Sequence, residues 1–103
     1  MERFFWIGHV VEGKLDEYIK RHDEIWPEMT ELLNEAGVHN YTIWNNDHEL
    51  YGYYECESVE HALKVQNESP IVERWNKYME DVMHMYYDKE GKQILPHQIF
   101  LHK

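Results

Sequence analysis

Residues 18–28 read Tyr-Ile-Lys-Arg-His-Asp-Glu-Ile-Trp-Pro-Glu, and this stretch decides how the first half of the chain folds. Tyr18, His22 and Trp26 are spaced four residues apart, so on a continuous helix they would lie along one face. Pro27 interrupts such a helix, because it has no amide hydrogen and its ring pushes the preceding residue out of helical geometry. We therefore expect one helix to end between His22 and Trp26 and a second to begin at Pro27. A phenol, an imidazole and an indole then converge at the bend, which predicts the wall of a pocket.

The segments around this bend predict alternating strands and helices. Residues 4–11 are aromatic and β-branched, which favours a strand, and apolar residues recur at helical spacing from Lys14 to Ala36 on both sides of the break. Residues 38–44 predict a second strand in which His39, Tyr41 and Ile43 share one face. A turn at 45–48 and a strand at 50–56 complete a hairpin.

The second half predicts two more helical segments and a last strand. Ser58 is a favourable cap for a helix over 59–66, and Ser69-Pro70 opens another whose apolar spacing continues to Met83. Residues 84–97 are mixed in character and contain a loop at 88–91. The apolar residues within 98–102 predict the closing strand.

The order is β-α-β-β-α-β with each helical region interrupted once, which is an α+β, ferredoxin-like plan in a single domain over 1–103. Helices should cover one face of an antiparallel sheet. We expect the other face to carry Tyr41, Tyr51 or Tyr54, and Phe100. A chain this short cannot cover that face itself, so a second copy or a ligand is expected there.

Composition excludes several classes of partner. The formal net charge is −10, and no cluster of Lys and Arg offsets it, so nucleic acid and anionic membranes are poor partners. No run of apolar residues is long enough to cross a bilayer. Cys56 is the one cysteine, which rules out an internal disulfide and favours a reducing, cytoplasmic location.

The candidate chemistry lies in imidazole, phenol and indole groups rather than in a metal or cofactor site. The eight histidines are scattered, without HExxH, HxH or paired cysteines, and there is no phosphate-binding loop or nucleophile motif. His22 could be an ordinary helix-terminal histidine, but imidazole both gives and takes protons near neutral pH. Trp26 and Trp75 are either core residues or flat walls on which a sugar stacks, and Tyr41 could hydrogen-bond its hydroxyls.

Three stretches carry a more specific resemblance: His22 with Ile-Trp-Pro-Glu at 25–28, Gly-Val-His-Asn-Tyr at 37–41, and Arg-Trp-Asn-Lys-Tyr-Met-Glu-Asp-Val-Met at 74–83. Together with Tyr18, four residues before His22, the set resembles the L-rhamnose mutarotase family in order and spacing over nearly the whole chain. The resemblance implies a dimeric α/β-barrel that interconverts the α and β anomers of a 6-deoxy-hexose without a cofactor.

The resemblance also implies residue roles. His22 matches the family's proton donor, and Tyr18, Tyr41 and Trp75 match its sugar-binding residues. Asn76 departs from the pattern, because the family can carry a tandem Trp-Trp where this chain has Trp75-Asn76. An amide therefore replaces a second ring, which bears on which sugar is bound rather than on the reaction.

Mutarotation opens the pyranose by protonating the ring oxygen while the anomeric hydroxyl loses a proton, and it needs only acid and base groups. The hypothesis is that His22 protonates the ring oxygen and Tyr18 orients it or the sugar; the group that takes the anomeric proton stays open. Two other readings are a cofactor-free monooxygenase, since small dimeric α/β-barrels host that activity, and a sugar-binding module without catalysis.

Overall fold

A computed structural model describes residues 1–103 as a four-stranded antiparallel sheet with four helices on one face. The predicted ferredoxin-like plan is confirmed, with strands in the order β2-β3-β1-β4. No helix combines the length and apolarity that crossing a membrane requires. The elements are β1 (Glu2–Val10), α1 (Leu15–Asp23), α2 (Pro27–Glu35), β2 (His39–Asn46), β3 (Glu49–Cys56), α3 (Val59–Glu68), α4 (Pro70–Met79) and β4 (Met83–Met85).

The predicted break before Pro27 is confirmed. Helix α1 ends at Asp23, and Trp26 adopts an extended conformation (φ −63°, ψ 135°), as residues before proline do. The carbonyl of Trp26 then accepts the first backbone bonds of α2, from Met29 and Thr30. Pro27 at the first helical position loses nothing there, because its missing N–H would have no partner in the first turn.

Both predicted serine caps are confirmed. The Ser58 hydroxyl accepts a hydrogen bond from the backbone N–H of His61 at 3.1 Å, at the start of α3. The Ser69 hydroxyl accepts from the N–H groups of Ile71 and Val72, at 3.2 and 3.4 Å, at the start of α4. Each cap satisfies donors that the first helical turn leaves unpaired.

The end of the chain differs from the prediction in two ways. Helix α4 stops at Met79 rather than continuing to Met83, which instead begins β4 and pairs with Val10. The predicted strand at 98–102 is absent: no backbone hydrogen bond joins residues 95–103 to the rest of the chain, and Ile99 is 96% exposed. Strand-forming composition does not make a strand without a neighbouring strand to pair with.

Strand β2 contains a bulge that overturns the expected sharing of one face by His39, Tyr41 and Ile43. The register shifts between His39 and Thr42, and Asn40 has a φ of 50°. The Asn40 side chain holds this conformation by donating to Glu55 at 2.8 Å. The extra residue turns His39 to the outer face of the sheet, opposite Glu55, while Tyr41 and Ile43 face the helices.

The two faces of the sheet are therefore populated differently from the prediction. Tyr41 and Tyr54 lie on the helix-covered face, whereas Tyr51 does lie on the open face, with its ring 6.2 Å from that of Phe5. Phe100 belongs to no strand. The core on the covered face forms two clusters, one around Trp6, Leu50 and Trp75 and a smaller one around Tyr54, Cys56 and Ala62.

Candidate active site

A cavity of about 920 Å³ lies between the helices and the covered face of the sheet. Sixteen of its 23 lining residues are hydrophobic, and a few polar groups interrupt them. This combination of size, apolar walls and sparse polar groups is typical of small-molecule sites. Of the six residues singled out from the sequence, the cavity wall brings together Tyr18, His22, Tyr41, Trp75 and Asn76.

His22 lies in the last turn of α1 and is held in one orientation. Its Nδ1 lies 3.0 Å from the carbonyl oxygen of Tyr18, one turn earlier, and its ring meets the Trp75 ring edge-on at 5.5 Å. A carbonyl only accepts, so Nδ1 carries the proton in this contact and Nε2 keeps its lone pair. Burial lowers the pKa of His22, and the Tyr18 carbonyl and nearby Asp23 only partly offset this effect. His22 is therefore neutral near pH 7, with no partner in the chain for Nε2.

Tyr18 is 4% exposed, and its hydroxyl has no hydrogen-bond partner. Its ring packs on that of His22, with centroids 4.4 Å apart. Burial, reinforced by nearby Tyr41, raises the pKa of Tyr18 well above its ordinary value, so the hydroxyl keeps its proton. An unpaired buried hydroxyl costs about 1–3 kcal/mol, which a ligand oxygen would recover.

Tyr41 is held in place by a hydrogen bond from Trp6, a residue that the sequence did not single out for the site. The Trp6 indole N–H donates to the Tyr41 hydroxyl at 2.9 Å. Although Tyr41 is 36% exposed, its hydroxyl lies among buried groups, and this burial raises its pKa to about 12. Trp6 fits because Gly52 lies opposite it on β3: a Cβ there would be 2.0 Å from the indole. A glycine inside a predicted strand was the available signal, because it indicates that a large side chain from a neighbouring strand packs over it.

Trp75 forms a flat wall of the cavity, but Trp26 does not line it. Trp75 is 8% exposed, and Trp26 packs edge-on behind it at 5.1 Å. The Trp26 face is covered by Tyr78 and by the Arg74 guanidinium, 5.3 Å from the ring. Trp26 thus lies behind the cavity wall, because the extended backbone before Pro27 places its ring against the far side of Trp75.

Asn76 follows Trp75 on α4 and is exposed, so it lies at the mouth of the cavity. Its amide offers donors and an acceptor to a ligand held by the deeper rings. Gln66, from α3, is another polar lining residue, but it is engaged with the Tyr54 hydroxyl at 3.2 Å and with the Ala62 carbonyl at 3.1 Å.

Arg21, also missed at the sequence level, joins α1 to the end of α4. Its guanidinium donates to both carboxylate oxygens of Asp81, to the Tyr78 carbonyl at 2.6 Å and to Glu17 at 2.7 Å. It also lies 4.3 Å from the centroid of the Tyr78 ring. These contacts hold the turn that carries His22 against the helix that carries Trp75.

The arrangement supports acid/base chemistry on a polar, ring-shaped ligand. A neutral imidazole with a free lone pair, a protonated phenol and a flat indole share one cavity. No three His, Cys, Asp or Glu side chains come together as the ligands of a metal ion would.

Comparison with known proteins gives the family. Residues 3–101 match the family model described as L-rhamnose mutarotase. The L-rhamnose mutarotase of Jannaschia sp. is 35% identical over 91% of both chains, and that of Oceanobacillus iheyensis is 44% identical over 81% of both. The crystal structure of an L-rhamnose mutarotase from Formosa agariphila shares the fold, with a TM-score of 0.80 over the full length of both chains at 22% identity. The chain therefore belongs to the L-rhamnose mutarotase family.

Proposed function

We propose that this protein is an isomerase that interconverts the α and β anomers of L-rhamnose or a similar 6-deoxy-hexose. The observation that carries the proposal is the contact between His22 and Tyr18 in the wall of the cavity. One group can accept a proton and the other can donate one, without a cofactor. Membership of the family supports the same reaction.

His22 is the proposed acid/base residue. Ring opening needs a proton removed from the anomeric hydroxyl and a proton delivered to the ring oxygen, and closure on the other face of C1 reverses both transfers. General acid/base assistance contributes about 10²–10⁴-fold, which is within the reach of an imidazole and one partner.

The other proposed ligand-binding residues surround this pair. Trp75 offers an apolar face to the sugar's C–H groups, Tyr41 and Asn76 offer hydrogen bonds, and Tyr18 offers its unpaired hydroxyl. Trp26 is proposed to act indirectly, by keeping Trp75 in place from behind. The amide of Asn76 favours a sugar with a hydroxyl at the mouth of the cavity.

The test is anomer exchange measured by saturation-transfer NMR on L-rhamnose, L-fucose and related sugars, with wild type and His22→Gln. Wild type should accelerate exchange and His22→Gln should lose most of the acceleration while retaining its fold by circular dichroism. Shifts of the sugar resonances without faster exchange would instead indicate a binding module. Oxygen uptake with a quinol and no sugar activity would indicate the cofactor-free monooxygenase.

We further propose that the chain acts as one domain and as a homodimer in the cytoplasm. The open face of the sheet supports the dimer, because it carries Phe5, Tyr51 and Trp44, and Trp44 is 66% exposed. A second copy would cover these rings. The unpaired Cys56 supports a reducing location.

A further inference from the structure

A second pair of polar side chains lies in the cavity wall, apart from His22 and Tyr18. It is formed by Tyr54 on β3 and Gln66 in the last turn of α3, where the amide nitrogen of Gln66 donates to the Tyr54 hydroxyl at 3.2 Å. The same nitrogen donates to the backbone carbonyl of Ala62 at 3.1 Å. These contacts fix the amide, and they leave both side-chain oxygen atoms of the pair able to bond to a ligand.

The carbonyl of Ala62 determines which way round the Gln66 amide lies. A carbonyl only accepts, so the amide nitrogen must be the atom that faces it, and Oε1 is the free end of the amide. No donor of the chain bonds to Oε1, and both amide protons are already used. Gln66 therefore offers a ligand an acceptor that is held in one orientation.

The Tyr54 hydroxyl supplies the complementary donor. It accepts from Gln66, so its own proton is still available, and no acceptor of the chain takes it. Burial raises the pKa of Tyr54 and the bond from Gln66 only partly offsets this effect, so the phenol keeps its proton. A donor beside an acceptor matches a sugar hydroxyl, which accepts one hydrogen bond and donates another.

The pair lies in a different part of the cavity from His22. Trp75, which meets His22 edge-on, belongs to the larger core cluster, whereas Tyr54 belongs to the smaller one. Phe4, the cross-strand partner of Tyr54, lies two residues from Trp6 of the larger cluster, which is about 7 Å along β1. This separation is on the scale of a single hexose, so one sugar can reach both parts.

We infer that Tyr54 and Gln66 bind a hydroxyl on the side of the pyranose ring remote from C1, at C3 or C4. The phenol donates to this hydroxyl and Oε1 of Gln66 accepts from it. The inference rests on the proposed function, because that function places C1 at His22. It makes the pair a specificity-determining site, since a sugar without this hydroxyl leaves a donor and an acceptor of the cavity wall unpaired.

The test combines protein variants with deoxy sugars. The Kd values of L-rhamnose, 3-deoxy-L-rhamnose and 4-deoxy-L-rhamnose are measured by NMR titration of the tryptophan indole resonances. Tyr54→Phe should weaken the binding of L-rhamnose by about 2- to 12-fold, the equivalent of one hydrogen bond. It should not weaken the binding of the deoxy sugar that lacks the recognised hydroxyl, because the phenol has nothing to donate to in that complex.

Gln66→Met is the second variant, because it keeps the length of the side chain and removes the acceptor. It should show the same dependence on the sugar as Tyr54→Phe. Tyr53→Phe, on the open face of the sheet, is the matched control and should leave every Kd unchanged. Circular dichroism establishes that each variant is folded at the temperature of the titration.

Two results would overturn the inference. An equal loss of affinity for all three sugars would show that the contact between Tyr54 and Gln66 only joins α3 to β3. An unchanged affinity for L-rhamnose in both variants would exclude contact between the pair and the sugar. Anomer exchange, followed on the same samples, tests the function separately. If the affinities depend on the deoxy position but wild type does not accelerate exchange, the proposed function fails and the binding role of the pair stands.

Discussion

Two guanidinium nitrogens of Arg21 donate hydrogen bonds to the two carboxylate oxygens of Asp81, at 2.8 and 3.3 Å. This ion pair links α1 to the residues that follow α4. The ion pair lowers the pKa of Asp81 and raises that of Arg21. Arg21 directly precedes His22, so this contact ties the turn of α1 that carries the imidazole to the end of α4.

We predict that Arg21→Met lowers the melting temperature and reduces anomer exchange, because α1 loses its fixed position against α4. Arg21→Lys should recover little, since an ammonium cannot contact both carboxylate oxygens and the Tyr78 carbonyl in one plane. Thermal unfolding followed by circular dichroism measures the first effect. Glu17→Gln, which weakens only the contact within α1, is the control and should lower the melting temperature less. Equal losses in both variants would show that the contacts between Arg21 and the end of α4 do not stabilise the fold.

The stabilisation that the Arg21–Asp81 ion pair provides should also depend on pH. Because the pKa of Asp81 is lowered in the folded state, its stabilising contribution is present above the ordinary carboxyl range and is lost as pH falls through the folded-state pKa. In Asp81→Asn, the melting temperature should therefore lie below that of wild type at neutral pH and converge with it in acid. If the melting temperatures of the two proteins differed by the same amount at every pH, ionised Asp81 would not be the source of the stabilisation.

Gly52→Ala should destabilise the fold by about 1–3 kcal/mol, because its Cβ would lie 2.0 Å from the Trp6 indole. Displacing Trp6 also breaks its hydrogen bond to Tyr41. Urea unfolding measures the stability. In a Trp6→Leu background the same substitution should cost much less, since the smaller side chain leaves room. If the two substitutions lowered the free energy of unfolding additively, a clash with the Trp6 ring would not be the cause of the destabilisation.

Trp75→Ala and Trp26→Ala should differ in their effect on KM. Both remove large side chains from a packed pair, and the loss of buried Trp75 should cost about 3–5 kcal/mol. Only Trp75 lines the cavity, so its variant should raise KM by the larger factor. The KM of each variant is measured from the kinetics of anomer exchange at a temperature where both are folded. An equal rise in KM would indicate that Trp26 also contacts the sugar.

Asn76→Ala should raise KM by about 2- to 12-fold, the equivalent of one hydrogen bond worth about 0.5–1.5 kcal/mol. Asn34→Ala, an exposed amide on α2 that does not line the cavity, is the matched control and should leave KM unchanged. Comparing several deoxy-sugars would show which hydroxyl the amide meets. An unchanged KM for every sugar would remove Asn76 from the binding site.

Trp44→Glu should convert the proposed dimer into monomers, because a charge replaces an exposed ring on the open sheet face. Analytical ultracentrifugation checks this, with Lys89→Gln in the 88–91 loop as a control that changes the net charge by the same amount. A wild-type protein that sediments as a monomer at every concentration would contradict the dimer.

The sequence predicted the break at Pro27 and both serine caps because each depends on local chemistry. It could not predict β4, since three residues become a strand only through pairing with Gly8, His9 and Val10 of β1. The helical spacing of Val82 and Met83 was misleading for a related reason: Val82 is buried after the helix has ended.

The candidate site was predicted for residues close in sequence and missed for those joined across strands. Tyr18 and His22 lie one turn apart, so their meeting follows from helical geometry. Trp6 meets Tyr41 only because β3 lies between their strands and offers Gly52. The bulge at Asn40, which turns Tyr41 inward, depends on Glu55 from another strand.

Tyr53 and Tyr54 are consecutive in the chain, yet one faces the open side of the sheet and the other is fully enclosed beneath the helices. Along β1 and β3, alternate side chains therefore face either the open side of the sheet or the helix-covered side. A substitution on the open side can alter the outer surface without touching the lining of the cavity, and a substitution on the covered side can alter the cavity without changing the outer surface.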